Sequence, residues 1–139
     1  MTMTIRNQIA GTVASVTPGE VMATVKTRLT GGQELTSAVT LEAVKELGLA
    51  RGSEVRAMVK STDVSLATGP VAGLSIRNQI AGTVSDIATG GAMATVKVAI
   101  DGGELTAAIT RDAVADLGLA TGTAVVALIK STEVSLATV

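Results

Sequence analysis

Two short segments of the sequence set a cation beside hydroxyls: Lys60-Ser61-Thr62 and Lys130-Ser131-Thr132. Each follows a run that alternates apolar residues, so each stands where a strand ends. A second pair, Thr4-Ile5-Arg6 and Ser75-Ile76-Arg77, again places a hydroxyl next to a cation. A third, Thr40 and Thr110, falls at the start of a short helical pattern, where free backbone N–H groups and the positive end of the helix dipole face an anion. These groups are mainly hydrogen-bond donors. A pocket of donors fits a small, fully deprotonated oxyanion, whereas a ligand that keeps a proton, such as monohydrogen phosphate, also wants a carboxylate acceptor. Tetrahedral dianions such as molybdate, tungstate or sulfate meet the description. Each segment alone also has an ordinary explanation, since lysine guards a strand edge, Ser-Thr makes a turn and threonine caps a helix.

What the chain lacks narrows the chemistry further. Its 139 residues include no Phe, Tyr, Trp, His or Cys. Without thiol or imidazole there is no Ser-His or Cys-His nucleophile pair, no Cys/His zinc site and no disulfide framework. No group is placed as a base or nucleophile, so binding without catalysis is expected, with no cofactor and no cationic metal. Eleven Lys and Arg against twelve Asp and Glu give a net charge of −1, and no aromatic platform exists on which bases could stack. A nucleic-acid partner is therefore not expected. The mean hydropathy is high, +0.50, yet the uncharged stretch from Val64 to Ile76 is broken by Ser, Thr, Gly and Pro70, far from the roughly 20 apolar residues of a membrane span. The N-terminal residues lack the pattern of a signal peptide, and those before Ile5 are too few for a helix-turn-helix. A soluble, cytoplasmic protein without a DNA-binding segment is the expectation.

The elements that must carry these groups come in duplicate. Ile5 to Val13 recurs letter for letter as Ile76 to Val84, and the match continues to Thr68 and Thr138 with one extra residue, Gln33, in the first copy; 39 of 63 aligned positions are identical. That excludes chance. The expected division is a first domain at 1–68, a linker at 69–73 and a second domain at 74–139. A module of this size has only a marginal core of its own, and with no disulfide or metal to help, it should bury its faces against other copies.

Within a module, strand signals dominate. Ile5 to Val16 reads as a long first strand, Thr17-Pro18-Gly19 as a hairpin turn, and Val21 to Thr30 as a second strand with apolar residues at every other position. Gly31-Gly32 turns the chain into a third strand, Glu34 to Val39. The period then changes, and Leu41, Val44 and Leu47 suit a short helix with Thr40 as N-cap and Gly48 just past its end. Strands around Val55–Val59 and Asp63–Ala67 complete the module. Strand, strand, strand, helix, strand, strand is the order of the OB-fold, a five-stranded Greek-key barrel, so the expected fold is mainly β, two such barrels in tandem, each with one short helix.

The copies differ in which charges they keep. Arg6, Lys26 and Lys60 reappear as Arg77, Lys97 and Lys130, whereas Arg28, Lys45, Arg51 and Arg56 give way to Ala99, Ala115, Thr121 and Val126. The fourth strand of the second copy, Val125 to Ile129, is thereby the more apolar, and its outer face is expected to be the more buried in an assembly.

At the retained residues the chain resembles the molbindins, small molybdate-binding proteins built of Mop domains. The resemblance is carried by Ser75-Ile76-Arg77-Asn78-Gln79 (Thr4 to Gln8 in the first copy), Leu105 to Thr110 before the helix (Leu35 to Thr40), and Ala127 to Thr132 (Ala57 to Thr62). It implies OB-like barrels with molybdate held between domains, one giving the Ser-x-Arg and Lys-Ser segments and another the threonine at a helix start. By position, Thr4 or Ser75 then supplies a hydroxyl, and Ile5-Arg6 or Ile76-Arg77 supplies backbone or side-chain donors. Lys60 or Lys130 supplies charge, Ser61 or Ser131 a further donor, and Thr40 or Thr110 a hydroxyl. Ala43 and Ala113 stand where some relatives have Ser, which leaves their N–H. The resemblance also implies self-association, a homotrimer of two-domain chains giving six domains, further oxyanion sites on the symmetry axis, and a role in molybdenum storage and homeostasis with tungstate as a competing ligand. The alternative is a structural or adaptor oligomer with no ligand.

Overall fold

A computed structural model describes residues 2–139. The first copy gives β1 (Asn7–Pro18), β2 (Met22–Leu29), β3 (Glu34–Thr40), α1 (Leu41–Leu47), β4 (Glu54–Val59) and β5 (Ser65–Ala67). The second gives β6 (Asn78–Thr89), β7 (Met93–Ile100), β8 (Gly103–Thr110), α2 (Arg111–Leu117), β9 (Ala124–Ile129) and β10 (Ser135–Thr138). A 3-10 turn, Ser61–Asp63 or Ser131–Glu133, separates the last two strands of each copy. The period-two pattern is realised closely: along β2, exposed and buried residues alternate from Met22 to Leu29, because every second side chain points to the inner face. The first strand starts later than its apolar pattern, at Asn7, since the preceding residues are held in a loop described below.

Each helix is short and bounded by its caps. Thr40 Oγ1 accepts the Ala43 N–H at 3.1 Å, and at the other end Gly48 adopts φ 63°, a left-handed conformation natural to glycine, with its N–H donated to Lys45 O. Thr110, Ala113 and Gly118 repeat the arrangement.

The strand order is β10-β4-β1-β2-β3 in one sheet and β5-β9-β6-β7-β8 in the other, all antiparallel. The run β4-β1-β2-β3 is the 4-1-2-3 order of a Greek key, and β10 approaches β3 so that the sheet curls toward a barrel. The chain is two OB-like barrels, each with one short helix. Where the sequence reading had the fifth strand completing its own module, the fifth strands are exchanged: β5 pairs with β9 and β10 with β4. The 3-10 turn lies at the crossing. It redirects the chain after β4 onto the third strand of the other copy, Ser61–Asp63 against β8 and Ser131–Glu133 against β3.

The core follows the exchange. One cluster belongs to barrel one (Val13, Ala23, Val25, Val44, Leu49, Val55), with Leu136 of the second copy packed on it, and another to barrel two (Val84, Val96, Val98, Leu119, Val125), with Leu66 of the first copy packed on it. The third and largest cluster joins both, from Leu29, Val59 and Val64 to Leu105, Ile129 and Val134. Two buried asparagines tie the same junction. Asn7 Nδ2 donates to Thr106 O at 2.8 Å while the Thr106 N–H donates to Asn7 Oδ1 at 2.7 Å, and Asn78 makes the same two bonds with Thr36, both at 2.8 Å. Each amide so takes the place of a neighbouring strand at the edge of β8 or β3, satisfying backbone groups that the sheet leaves unpaired.

Candidate functional site

The retained residues gather at two ends of each barrel. At one end, Asn7 stands opposite Val59 in the ladder, so the Thr4-Ile5-Arg6 loop runs beside Lys60-Ser61. The loop is held by side chains: Arg6 Nε and Nη2 donate to Thr4 O (3.0 Å) and Met3 O (2.7 Å), and Gln8 Nε2 donates to Ile5 O (3.0 Å). Arg77 and Gln79 do the same for Ser75, Leu74 and Ile76. The guanidinium therefore orders the loop and takes up its carbonyls. What the loop offers a ligand is its N–H groups and the Thr4 or Ser75 hydroxyl.

Beside the loop, the Lys60 and Lys130 side chains are exposed and carry no ion pair among the described residues. Ser61 Oγ and Ser131 Oγ are buried and have no hydrogen-bond partner at all. A buried hydroxyl without a partner costs about 1–3 kcal/mol, and this one recurs at the same place in both copies. Local sequence could not reveal it, because the burial comes from the third strand of the other copy.

At the other end lie the helix starts. Thr40 is opposite Met22, and Thr110 opposite Met93, in the β2–β3 and β7–β8 ladders. Each threonine oxygen accepts an N–H from Ala43 or Ala113, and its own hydrogen remains a free donor. Thr36, the residue bonded to Asn78, precedes Thr40 by four positions, about 13 Å of strand. One chain therefore joins Thr4, Ile5, Arg6, Lys60 and Ser61, and separately Ser75, Ile76, Arg77, Lys130 and Ser131, while Thr40 with Ala43 and Thr110 with Ala113 stand at the helix starts, four strand positions beyond the residues that the asparagines hold. The residues around the helix starts are unusually apolar for a surface, with Val21 at 74% exposure and Met22 and Met93 also exposed, and Leu47 and Leu117 are exposed at the far ends of the same helices.

A cleft of about 140 Å³ at the junction is lined by Thr62, Asp63 and Ser65 of the first copy and by Ile76, Leu128, Lys130 and Glu133 of the second. Its two carboxylates make it a poor home for a dianion, and Ser131 is not on its wall. Within the chain alone, Met58 and Leu128 are equally buried, each at 8% exposure, so the apolar fourth strand of copy two gains no burial from the chain itself.

This architecture of paired barrels with a repeated donor cluster is matched by the TOBE domain family, once over residues 3–66 and again over 74–136. The chain belongs to that family, as a tandem of two Mop-type domains. It is 40% identical over 138 residues to the molybdenum transport protein ModE of Azotobacter vinelandii, covering 99% of this chain and 51% of that protein. It is 42% identical over 134 residues to the molybdenum-pterin-binding protein MopB of Rhodobacter capsulatus, covering 95% and 50%. The chain thus spans about half the length of these relatives. A solved structure of the cytoplasmic molybdate-binding protein ModG, with molybdate bound, superimposes with a TM-score of 0.97 at 42% identity over the full length of both chains. These relatives are named as binding or transport proteins, not enzymes. No helix among the described residues is long and apolar enough to cross a membrane.

Proposed function

We propose that this protein binds molybdate as an oxyanion, with tungstate as a competitor, at sites completed between copies of the chain, and that it serves as a cytoplasmic store that buffers molybdenum. The observation that carries the reading is the pair of buried, unpartnered hydroxyls, Ser61 Oγ and Ser131 Oγ, each beside an exposed, unpaired lysine and a loop whose carbonyls accept from its own Arg and Gln side chains. An arriving oxyanion relieves that unmet hydrogen bond and meets charge-assisted donors. The hydroxyls of Thr40 and Thr110 supply the opposite wall when a second chain brings them within reach, and the exposed apolar residues around them are the surface that such a chain covers. A homotrimer gives six barrels and a closed arrangement. The similarity to ModG, a molybdate-binding protein solved with molybdate bound, and to the molybdenum-pterin-binding proteins supports the ligand.

Isothermal titration with molybdate, and with sulfate and phosphate as controls, tests the reading. Heat with molybdate that tungstate competes away and phosphate does not is the expected result. No heat with any oxyanion would leave the ligand-free adaptor as the better account. Lys60→Ala with Lys130→Ala should weaken binding while the unfolding transition stays in place, because both ammonium groups project from strand ends into solvent. Light scattering should give three times the chain mass.

A further inference from the structure

Barrel one carries cations that barrel two has lost, and strand pairing collects them on one face. Thr12 of β1 is the ladder partner of Arg28 on β2 and of Glu54 on β4, and Ala10 is the partner of Arg56. Three adjoining clefts cover this face: one lined by Gln8 and Arg56, the next by Thr12, Arg28 and Glu54, the third by Thr12, Arg28 and Arg51. Shared walls at Arg28 and Thr12 make the last two continuous, and Val139 joins them to the first. Glu54 is the one acidic side chain along this groove. The single ion pair among the described residues, Lys26 with Glu34 at 4.0 Å, lies outside it. Arg56 makes only a long 3.4 Å bond to Gln8 Oε1. The corresponding residues of barrel two, Ala99, Thr121 and Val126, are neutral.

We infer that this groove is a docking surface for an acidic protein segment, a role that only barrel one performs. The three cations differ in kind from those of the oxyanion cluster. Lys60 and Arg6 are kept in both copies, whereas Arg28, Arg51 and Arg56 occur in one and are spaced too widely for one small anion. Arg28 and Arg56 stand two strands apart and two residues out of line along β1, about 12 Å, a spacing that suits carboxylates three to four residues apart on an extended chain. All three are arginines, whose weakly hydrated forks pair bidentately with carboxylates. Between them the floor is the small, flat surface of Ala10, Gly11 and Thr12, on which a peptide backbone can lie. Nucleic acid fits less well, because no aromatic side chain is present for stacking.

The test is fluorescence anisotropy of a labelled Glu-rich peptide titrated with the full chain, beside a single-stranded oligonucleotide of equal charge. Peptide binding that falls with added salt is expected. The triple variant Arg28→Ala, Arg51→Thr, Arg56→Val, which installs the residues of barrel two, should weaken it at least about tenfold, or 1.4 kcal/mol, with an unchanged thermal midpoint and unchanged molybdate heat. Adding Ala99→Arg, Thr121→Arg and Val126→Arg to that variant should restore binding. Undiminished peptide binding in the triple variant overturns the inference, as does tighter binding of the oligonucleotide. Loss of the oligomer in that variant also overturns it, since the face would then be an interface between copies.

Discussion

A serine hydroxyl buried without a partner is a liability to the fold and an asset to a ligand, and the two effects can be measured apart. Ser61→Ala and Ser131→Ala remove the unmet group, so urea unfolding of the ligand-free chain should show unchanged or slightly higher stability, by up to about 1 kcal/mol. The same variants should bind molybdate about tenfold more weakly by calorimetry. A matching loss of stability would mean the hydroxyls serve the fold instead. Thr27 and Ser37 make a sharper contrast. Both are fully buried with unpartnered hydroxyls in barrel one, while the second copy has Val98 and Ala107 at these positions. Thr27→Val and Ser37→Ala should each raise the unfolding free energy by about 1 kcal/mol; a decrease would show that the hydroxyls have partners.

Among the elements, the short connections do more than join strands. The Gly31-Gly32 turn of barrel one lies against the β7–β8 turn of barrel two so closely that a Cβ on Gly31 would collide with Asp101 O. Gly31→Ala should therefore separate the turns and lower stability by more than about 1 kcal/mol, where an unobstructed glycine-to-alanine exchange would raise it, read as a drop in thermal midpoint. Asn7 and Asn78 act at the same junction. Asn7→Ala orphans both the N–H and the C=O of Thr106, roughly 1–3 kcal/mol each, and denaturant unfolding should show it; Asn7→Asp keeps the acceptor alone and should lose less. Repeats, alternation and the capped helix were legible in the sequence because each is a local pattern: Val21 to Leu29 states its own period, and Thr40 and Gly48 mark their own helix. The role of the asparagines was not, because their partners, Thr36 and Thr106, belong to the other copy and no spacing rule connects them.

Across the whole molecule, the strand exchange was hidden for a simpler reason. Ser65-Leu66-Ala67 and Ser135-Leu136-Ala137 are the same three residues, so sequence cannot say which sheet each completes. The donor clusters were likewise legible as residue types, but the distance between the Lys-Ser end and the helix starts depends on the third strands of the barrels, which only the fold sets. Because each barrel lacks a strand without the other, a protease site placed between Gly69 and Gly73 and cut under native conditions should leave both halves in one particle on gel filtration. Separation into free halves on cutting would show that the shared core is weaker than its extent implies.

Relatives of single-copy length exist, such as the molybdenum-pterin-binding protein 2 of Clostridium pasteurianum, matched over 97% of its length by 48% of this chain. A lone copy that gives away its fifth strand has to receive one from a second molecule, so its folding is bimolecular and weakens on dilution. The connection between Ala67, where β5 ends, and Asn78, where β6 begins, turns that encounter into an internal one, at an effective concentration in about the millimolar range. Once dilution has separated the chains of the trimer, the barrel pair of this chain should accordingly keep one denaturant midpoint on further dilution, because the pairing of its barrels is internal.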